Sequence, residues 1–357
     1  MHRDRQLIEA LRKERLPGIN CRLTAEEIIR GFKVRREFTS TSPSGRTLSA
    51  YKALFAPAGK DARNLEANIG DEVAEVLATL LNLCAHHGLA LDRWLTVYNT
   101  MLEKVIGLDR IDKVRVIHIM EANLNLLMGI LFGRRFSQNA EKHGRNSEYQ
   151  WGASKGRQCI DVVLLKQLTY EISRLTRTSS ATMDIDAAAC FDRMVMCFTM
   201  HHAQQLGMPV NCCKMMGAFL DNVENHIKTK LGVSKESYKS TLENPLHGPG
   251  QGSKAGPDLW KYVSSILMDV LDEVNPGLEY TDPEQEHTSK RPIDGFVDDV
   301  TVWAAQFLNE LIALARDKYN DDLAVTILKQ LVTQTERLAQ HWEELLWTSG
   351  GKLELTK

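Results

Sequence analysis

The feature that most restricts the fold of this chain is the tetrapeptide Phe-Val-Asp-Asp at residues 296–299. Apolar and β-branched residues flank it at 292–293 and 300–303, which predicts two strands joined by a tight turn. Two adjacent carboxylates repel each other, and a divalent cation held between them and a third ligand relieves that repulsion. A solvated Asp-Asp turn without any metal is the alternative interpretation.

Length and composition are typical of a globular protein with two or three subdomains. The chain has 357 residues, of which 43% are hydrophobic and 25% charged. It contains no apolar run of about 18 residues, so we expect no transmembrane helix and no membrane partner. Seven cysteines occur without CxxC spacing, which predicts reduced thiols, no zinc site and an intracellular location, in the nucleus or the cytoplasm.

Charge is distributed unevenly, although the net charge is only −2. Residues 1–46 carry 11 Lys and Arg against 6 Asp and Glu, and residues 133–178 carry 9 against 4. Residues 270–299 reverse this balance, with 9 acidic side chains against 2 basic ones. Basic segments around an acidic centre suit a polyanion held at a metal-binding pocket, and ordinary solvated surfaces would give the same pattern.

Hydrophobic periodicity and capping signals divide the rest of the chain into helices and strands. Thr24 and Glu27 form a capping-box pattern at the start of a helix. Apolar spacing predicts further helices at 69–106, 123–139, 159–177, 194–232, 258–274 and 305–347. It predicts a strand at 113–119, a strand that passes into a helix over 181–193, and polar, turn-rich connections at 233–249 and 275–291.

Four sequence pieces follow one another in a definite order. Asp186 stands on a predicted strand with Phe191 five residues later, and a Gly-Gln-Gly loop at 250–252 precedes a helix. The Phe-Val-Asp-Asp turn and a terminal Gly-Gly-Lys-Leu-x-Leu-x-Lys at 350–357 complete the set. In this order they resemble motifs A, B, C and D of the reverse transcriptase palm, with the nearest likeness to enzymes of non-LTR retroelements. The likeness extends from about residue 95 to residue 357.

The resemblance implies an α+β, right-hand polymerase fold. We expect an antiparallel palm sheet, helix-rich fingers and a thumb that is largely absent, since the family normally continues beyond motif D. The implied division is an N-terminal helical extension and start of the fingers at 1–95, fingers at 96–178 and the first catalytic palm strand at 179–200. A helical insertion at 201–248 and the remaining palm at 249–357 follow.

The implied activity is that of an RNA-directed DNA polymerase, which extends a DNA or RNA primer on an RNA or DNA template with deoxynucleoside triphosphates. Nucleotidyl transfer of this kind uses two Mg²⁺ ions about 3.5–4 Å apart, with Mn²⁺ as an alternative. By resemblance, Asp186 and Asp298 bridge the metals, Asp299 is the third acid and the carbonyl of Ala187 is a further ligand. Asp184 shares a strand face with Asp186, but the spacing to Phe191 selects Asp186.

The remaining motif residues have expected roles toward substrate. Lys104 and Arg115 would hold the triphosphate, and Lys357 would protonate the leaving pyrophosphate. Phe191 would lie beneath the sugar and exclude a 2′-hydroxyl. The remaining expected contacts are Gln251 and Gly252 with the nucleotide and the template base, and Gln150, Gly152, Lys155 and Arg157 with nucleic acid.

Each assignment has an alternative. Phe191 could be an ordinary core residue, Gln251 part of a helix-entry turn, and Lys104 and Arg115 plain surface charge. For the whole chain the alternatives are a non-catalytic nucleic-acid-binding scaffold on a decayed reverse transcriptase fold, and an RNA-templated RNA polymerase. The presence of all three acids argues against the first, and Phe191 with the Gln251 loop argues against the second.

Overall fold

The structure is a computed structural model that describes residues 9, 11, 13–39, 42–55, 69–108, 110, 113–176, 178–305 and 321–354. Lys357 lies outside the described residues. The chain divides into two compact units. One comprises Glu14–Gly144 and Val195–Leu259 and is called the mixed-sheet unit. The other comprises Met1–Lys13, Arg145–Met194 and Trp260–Lys357 and is called the hairpin unit.

The mixed-sheet unit begins with helix α1 (Ala25–Lys33), whose predicted capping box is confirmed. The Thr24 hydroxyl accepts from the Glu27 amide at 3.3 Å, and the Glu27 carboxylate accepts from the Thr24 amide at 3.2 Å. Two orphan N–H groups of the first turn are thereby satisfied. Helix α2 (Leu48–Leu54) follows, and its N-cap hydroxyl belongs to Thr47.

The predicted helix over 69–106 is correct only as far as α3 (Ile69–His87). Gly88 has φ +71°, a left-handed conformation that ends a helix and suits glycine. Strand β1 (Thr96–Glu103) occupies most of the remainder, where burial alternates over its first residues. The run Thr-Val-Tyr at its start contains β-branched and aromatic side chains, which favour a strand.

A four-stranded mixed sheet organises this unit, in the order β2-β1-β4-β5. Strand β2 (Val114–Ile119) agrees with the predicted strand and pairs antiparallel with β1, whereas β4 (Glu224–Thr229) pairs parallel with β1. The prediction of continuous helix over 194–232 was therefore wrong at its end. Helices α8 (Met196–Gln205) and α9 (Val210–Asn222) cover its first part, and β4 and β5 (Gly232–Val233) cover its last.

The helix predicted at 123–139 is present but contains a π-helical stretch. It runs as α4 (Ala122–Met128), a π-helix at Gly129–Arg135, and α5 (Phe136–Lys142). The π-helix brings Arg134 and Arg135 to Glu27, which is ion-paired with both of them.

The hairpin unit contains a three-stranded antiparallel sheet with helices around it. Its order is β3-β9-β8, with β6 and β7 as a separate hairpin where we expected only turns. Its elements are α6 (Cys159–Thr176), β3 (Ser180–Asp186), α7 (Cys190–Arg193), α10 (Gly256–Val274, from Trp260 onward), β6 (Leu278–Thr281), β7 (Thr288–Arg291), β8 (Ile293–Phe296), β9 (Asp299–Ala305) and α11 (Asp321–Thr348).

The hairpin predicted around Phe-Val-Asp-Asp is confirmed, because β8 and β9 pair with Phe296 opposite Asp299. The helix predicted at 305–347 is present as α11 in its described part, and residues 306–320 lie outside the described residues. The apolar side chains that α11 buries recur at helical spacing and include Ile327, Leu331, Leu338, Trp342 and Leu345. The described part of the chain is therefore a mixed α+β structure, as the sequence predicted in general terms.

Within the described ranges, no helix combines the length and the apolar character that crossing a bilayer requires.

Candidate active site in the hairpin unit

The turn between β8 and β9 consists of only two residues, Val297 and Asp298. Val297 has φ +62°, a conformation that is rare for a β-branched side chain. Such a residue costs about 1–3 kcal/mol and persists only where its surroundings hold it in place. The contacts of Val297 therefore show how the acidic turn is kept in its shape.

Gln150 holds the backbone of this turn with its side-chain amide. Its Oε1 accepts from the Val297 amide at 3.1 Å, and its Nε2 donates to the Val297 carbonyl at 3.2 Å. The indole Nε1 of Trp260 donates to the same carbonyl at 2.7 Å. Both polar groups of the strained residue are thus bound by buried side chains from two other segments.

The other hydrogen bonds of Gln150 show that its amide is committed to the protein interior. Its Oε1 also accepts from the Gly152 amide at 2.9 Å, and its Nε2 also donates to Ser264 Oγ at 2.8 Å. The residue has no exposed surface, at 0%. The prediction that Gln150 contacts nucleic acid was therefore wrong, because no accessible donor or acceptor remains on it.

Gly152 also supports the acidic turn, because it lets its segment pack closely against Val297. A Cβ at this position would lie 2.9 Å from Val297 Cα and closer still to its amide nitrogen, so only glycine allows the two segments to approach. Backbone bonds from Trp151 N to Gly295 O at 2.8 Å and from Gly295 N to Tyr149 O at 2.9 Å dock this segment against β8. The nucleic-acid contact predicted for buried Gly152 is corrected accordingly.

The predicted acids lie at the ends of two adjacent strands. Asp186 ends β3, Asp299 begins β9, and the two are directly opposite each other in the ladder. Opposed residues of an antiparallel pair have Cα atoms about 4.5–5.5 Å apart. Asp298 precedes Asp299 in the turn; Asp186 and Asp298 are half-buried, and Asp299 is exposed. One edge of the sheet therefore carries all three carboxylates.

The thiol of Cys190 is influenced by the charges of both Asp186 and Asp298. Burial is the main cause that raises the pKa of Cys190, and the negative charge of Asp298 is the next, with Asp192 and Asp186 adding to it. The acids at the strand end and in the turn therefore both act on the region around the Cys190 thiol.

The C-terminal segment fastens the end of β3. Leu353 forms a bridge with Ala187, through bonds from Glu354 N to Asp186 O at 3.0 Å and from Ala188 N to Lys352 O at 2.8 Å. Neither bond uses the carbonyl of Ala187, the group expected to bind metal. The register also brings exposed Lys352 to this strand end, whereas the role expected of Lys357 stays a prediction.

A cleft of about 630 Å³ lies over this part of the sheet. Asp186 and Asp299 line it together with Asp184, which is paired with Lys166 at 3.0 Å and accepts from the Thr301 hydroxyl. Partial burial raises the pKa of Asp184, but these two hydrogen bonds and the Lys166 charge outweigh it and hold that pKa below its usual range. The Asp184 carboxylate is therefore engaged by protein partners within this cleft.

The site can be compared with what Mg²⁺ requires. Among the described residues, no three His, Cys, Asp or Glu side chains are arranged as a metal-binding group. Mg²⁺, however, keeps several waters and is commonly bound by one or two carboxylates together with substrate phosphates. Asp186 and Asp298 lie at the same edge of the sheet and offer the one or two carboxylates of that donor set, and the Ala187 carbonyl follows Asp186 in the chain.

Phe191 follows the strand end directly. Ala189 has φ +50°, and Asp192 N donates to its carbonyl at 2.9 Å, which turns the chain into the short helix α7. Phe191 is half-buried and is not one of the fully buried core residues. It therefore lies five residues after Asp186 in the chain and is partly accessible to solvent.

The basic loop after Gly152 extends into solvent. Lys155 and Arg157 are both exposed, and the Arg157 guanidinium carbon lies 4.5 Å from the centre of the Trp151 ring. Arg157 Nη1 also donates to the Glu148 carbonyl at 3.2 Å. Neither residue lines the cleft of the hairpin unit. Their predicted contact with nucleic acid would lie outside the cleft.

The other predicted substrate residues belong to the mixed-sheet unit. Exposed Lys104 follows β1 and exposed Arg115 lies on β2. The Gln251 carbonyl accepts from the amide of His118, three residues after Arg115, at 2.7 Å. Gly252 has φ +124°, and a Cβ there would lie 2.5 Å from the His118 carbonyl oxygen. The loop at 250–252 therefore packs against His118 of β2, which is three residues after Arg115 in the sequence.

No family model matches this chain, and no curated protein matches it. The interpretation of the site therefore depends on its residues and geometry.

The sequence analysis did not identify Trp260, which donates to the Val297 carbonyl, or Ser264, which accepts from Gln150. It assigned Gln150 to nucleic-acid binding, whereas Gln150 binds the backbone of the acidic turn. The spacing of Gln150 and Gly152 was the one sequence signal for this support, but it did not show that both residues contact the backbone of the turn at Val297.

Proposed function

We propose that the hairpin unit is the catalytic palm of an RNA-directed DNA polymerase of the non-LTR retroelement type, and that the mixed-sheet unit corresponds to its fingers. The observation that carries the proposal is the placement of Asp186, Asp298 and Asp299 at one sheet edge, with Asp298 in a turn held in a strained conformation. A plain solvated turn has no need of this support.

The proposed chemistry is addition of a deoxynucleotide to the 3′ end of a primer. Two Mg²⁺ ions, when bound, supply the positive charge that clamps the attacking and leaving oxygens. Asp186 and Asp298 hold these ions, with the Ala187 carbonyl as a further ligand, and Asp299 contributes negative charge beside them. Gln150 and Trp260 keep the Asp298 turn in position, and Phe191 limits the space beneath the sugar.

The primer–template would be held mainly by its phosphates. Exposed Lys155 and Arg157 follow directly from the segment that supports the acidic turn, so they suit contacts with the backbone near the site. Lys104 and Arg115 are the corresponding candidates for the triphosphate. Recognition of this kind reads charge and duplex shape and is largely independent of base sequence.

The test of the proposal is RNA-templated primer extension by the purified chain. It is incubated with a DNA primer on an RNA template, Mg²⁺ and either deoxy- or ribonucleoside triphosphates. DNA products are expected. RNA products instead would favour an RNA-templated RNA polymerase, and binding of primer–template without extension would favour a non-catalytic scaffold.

Phe191→Ala should relax the choice of sugar. If the ring lies beneath the sugar, a 2′-hydroxyl overlaps it, and overpacking costs about 1–3 kcal/mol. The ratio of ribo- to deoxynucleotide incorporation should therefore rise at least about fivefold. Phe38→Ala is the matched control, because Phe38 is fully exposed. An unchanged ratio in an active Phe191→Ala enzyme would mean that the ring does not touch the sugar.

Removing both basic side chains of the exposed loop should weaken binding of primer–template in a salt-dependent manner. Each phosphate contact contributes about 0.7–0.9 to the slope of log K against log salt. Lys155→Ala with Arg157→Ala should therefore reduce that slope by roughly 1.4–1.8 in a fluorescence anisotropy titration. Arg174→Ala is the control, since Arg174 is paired with Glu171 on α6. An equal slope in the double variant would exclude the loop from the interface.

A further inference from the structure

A second cavity, of about 560 Å³, lies within the mixed-sheet unit. It is bounded by the segment that precedes α1 and by parts of α3 and α9. Two cysteines that are far apart in sequence line it, Cys21 and Cys212. All seven cysteines lie in the described residues, and each is a free thiol. The proposed polymerase activity uses neither of these two.

The backbone around Cys21 is held on both sides. Arg135 donates from Nη1 to the Asn20 carbonyl at 2.6 Å and from Nη2 to the Arg22 carbonyl at 3.0 Å, so its guanidinium spans Cys21. The Asn82 amide accepts from Leu23 N at 2.7 Å and donates to Leu23 O at 2.9 Å. This segment has no regular secondary structure, yet four hydrogen bonds hold its backbone on both sides of Cys21.

Cys212 is fixed from the opposite side. It lies on α9 and is 1% exposed, with its Sγ 3.8 Å from the Ala85 carbonyl at the end of α3. The neighbouring thiol of Cys213 contacts a different group, the Met200 carbonyl, at 3.8 Å. Consecutive helix positions face different directions. Only Cys212 of this adjacent pair therefore faces the cavity.

Both thiols line the same cavity, and the thioether of Met208 lies 3.9 Å from Cys21 Sγ. The hydrogen bond from Cys212 is the main cause that lowers the pKa of Cys21; burial opposes it and the Arg135 charge assists it. The same hydrogen bond, followed by burial, raises the pKa of Cys212. Cys21 is therefore the thiol that ionises first, and Cys212 is the protonated partner beside it.

We propose that Cys21 and Cys212 form a dithiol site that a hydroperoxide oxidises to an intramolecular disulfide. The Cys21 thiolate attacks one peroxide oxygen, the O–O bond breaks, and the departing hydroxide takes a proton to become water. Cys21 is then a sulfenic acid. The sulfur of Cys212 attacks the Cys21 sulfur, the S–O bond breaks, and the leaving hydroxide takes the Cys212 proton. Two thiols lose two electrons and two protons, and hydrogen peroxide becomes two waters.

The disulfide would tie the segment ahead of α1 to α9 across the cavity. Because it would constrain the unfolded chain over a long loop, the oxidised protein should unfold at a higher temperature. We expect an increase of roughly 5 °C or more. Dithiothreitol should reverse this increase, since the bond is a reducible disulfide.

The experiment treats the full chain with hydrogen peroxide, alkylates the remaining thiols and maps cysteine-containing peptides by mass spectrometry. A peptide pair linked through Cys21 and Cys212, present before reduction and absent after it, is expected. Cys21→Ser should remove the link and the rise in Tm, whereas Cys197→Ser, at an exposed cysteine, should keep both. Cys212→Ala is a second variant, used if Cys21→Ser does not fold.

Two results would overturn the proposal. One is a link between Cys212 and Cys213, which would mean that the resolving thiol is the sequence neighbour. The other is recovery of Cys21 as a free thiol, or as an overoxidised acid with Cys212 unmodified. Because the peptide map of the wild type is decisive on its own, neither result depends on polymerase activity.

Discussion

Asp186→Asn should lower the rate of magnesium-dependent primer extension by more than about 1,000-fold. A metal acting on the reacting oxygens is worth several kcal/mol, and each 1.36 kcal/mol corresponds to a factor of ten in rate. The amide keeps the size of the carboxylate but removes the charge that holds the metal at the end of β3. Steady-state extension on an RNA template measures the effect, and Asp298→Asn should reproduce it.

Asp184→Asn is the matched control, because Asp184 lies two residues earlier on the same strand face and lines the same cleft. Its carboxylate is engaged by Lys166 and Thr301. We expect this variant to retain activity within a few-fold of the wild type. Binding of primer–template should persist in all three variants. If Asp184→Asn were inactive and Asp186→Asn active, the assignment of the metal ligand would be wrong.

Gln150→Met should lower kcat about 100-fold and leave the KM for the incoming nucleotide nearly unchanged. Methionine fills a similar volume but cannot bind the amide and carbonyl of Val297, so the strained turn can relax. A displacement of reacting groups by about 1 Å is enough to cost 10²-fold in rate. The pair kcat and KM, measured by single-nucleotide incorporation, separates an effect on positioning from one on binding.

Two variants control for a loss of stability in Gln150→Met. Ser264→Ala removes one hydrogen bond of Gln150 without touching the turn, and Trp260→Phe removes one of the two donors to the Val297 carbonyl. Both should reduce kcat less than Gln150→Met does. If Gln150→Met lowered Tm but kept kcat, the residue would support the fold alone and not the geometry of the acids.

Local patterns were enough to predict the central hairpin. β-Branched residues on both sides of the acidic turn specify β8 and β9. Asp186 was predicted to lie on a strand, and the structure has it at the end of β3, opposite Asp299 of β9. The stripe on α11 was equally predictable, because burial of one helix face leaves a periodic signal in the sequence. These features depend on neighbours within a few residues.

Features that depend on distant partners were missed. The strand β4 has a polar sequence, and it is defined by parallel pairing with β1, more than a hundred residues earlier. Gln150 was expected to contact nucleic acid because of the resemblance to the reverse transcriptase family, whereas the structure buries its side chain. Its burial follows from a turn 147 residues later whose backbone groups need partners. No local pattern encodes such a need.

The most direct measurement is single-nucleotide addition to a DNA primer on an RNA template as Mg²⁺ is titrated from zero. The predicted result is no addition in chelator and a rise in rate that depends on more than one ion in the wild type. Asp186→Asn and Asp298→Asn should show no comparable rise at any Mg²⁺ concentration. Addition that persists in chelator, or that survives both substitutions, would contradict metal-dependent catalysis at this sheet edge.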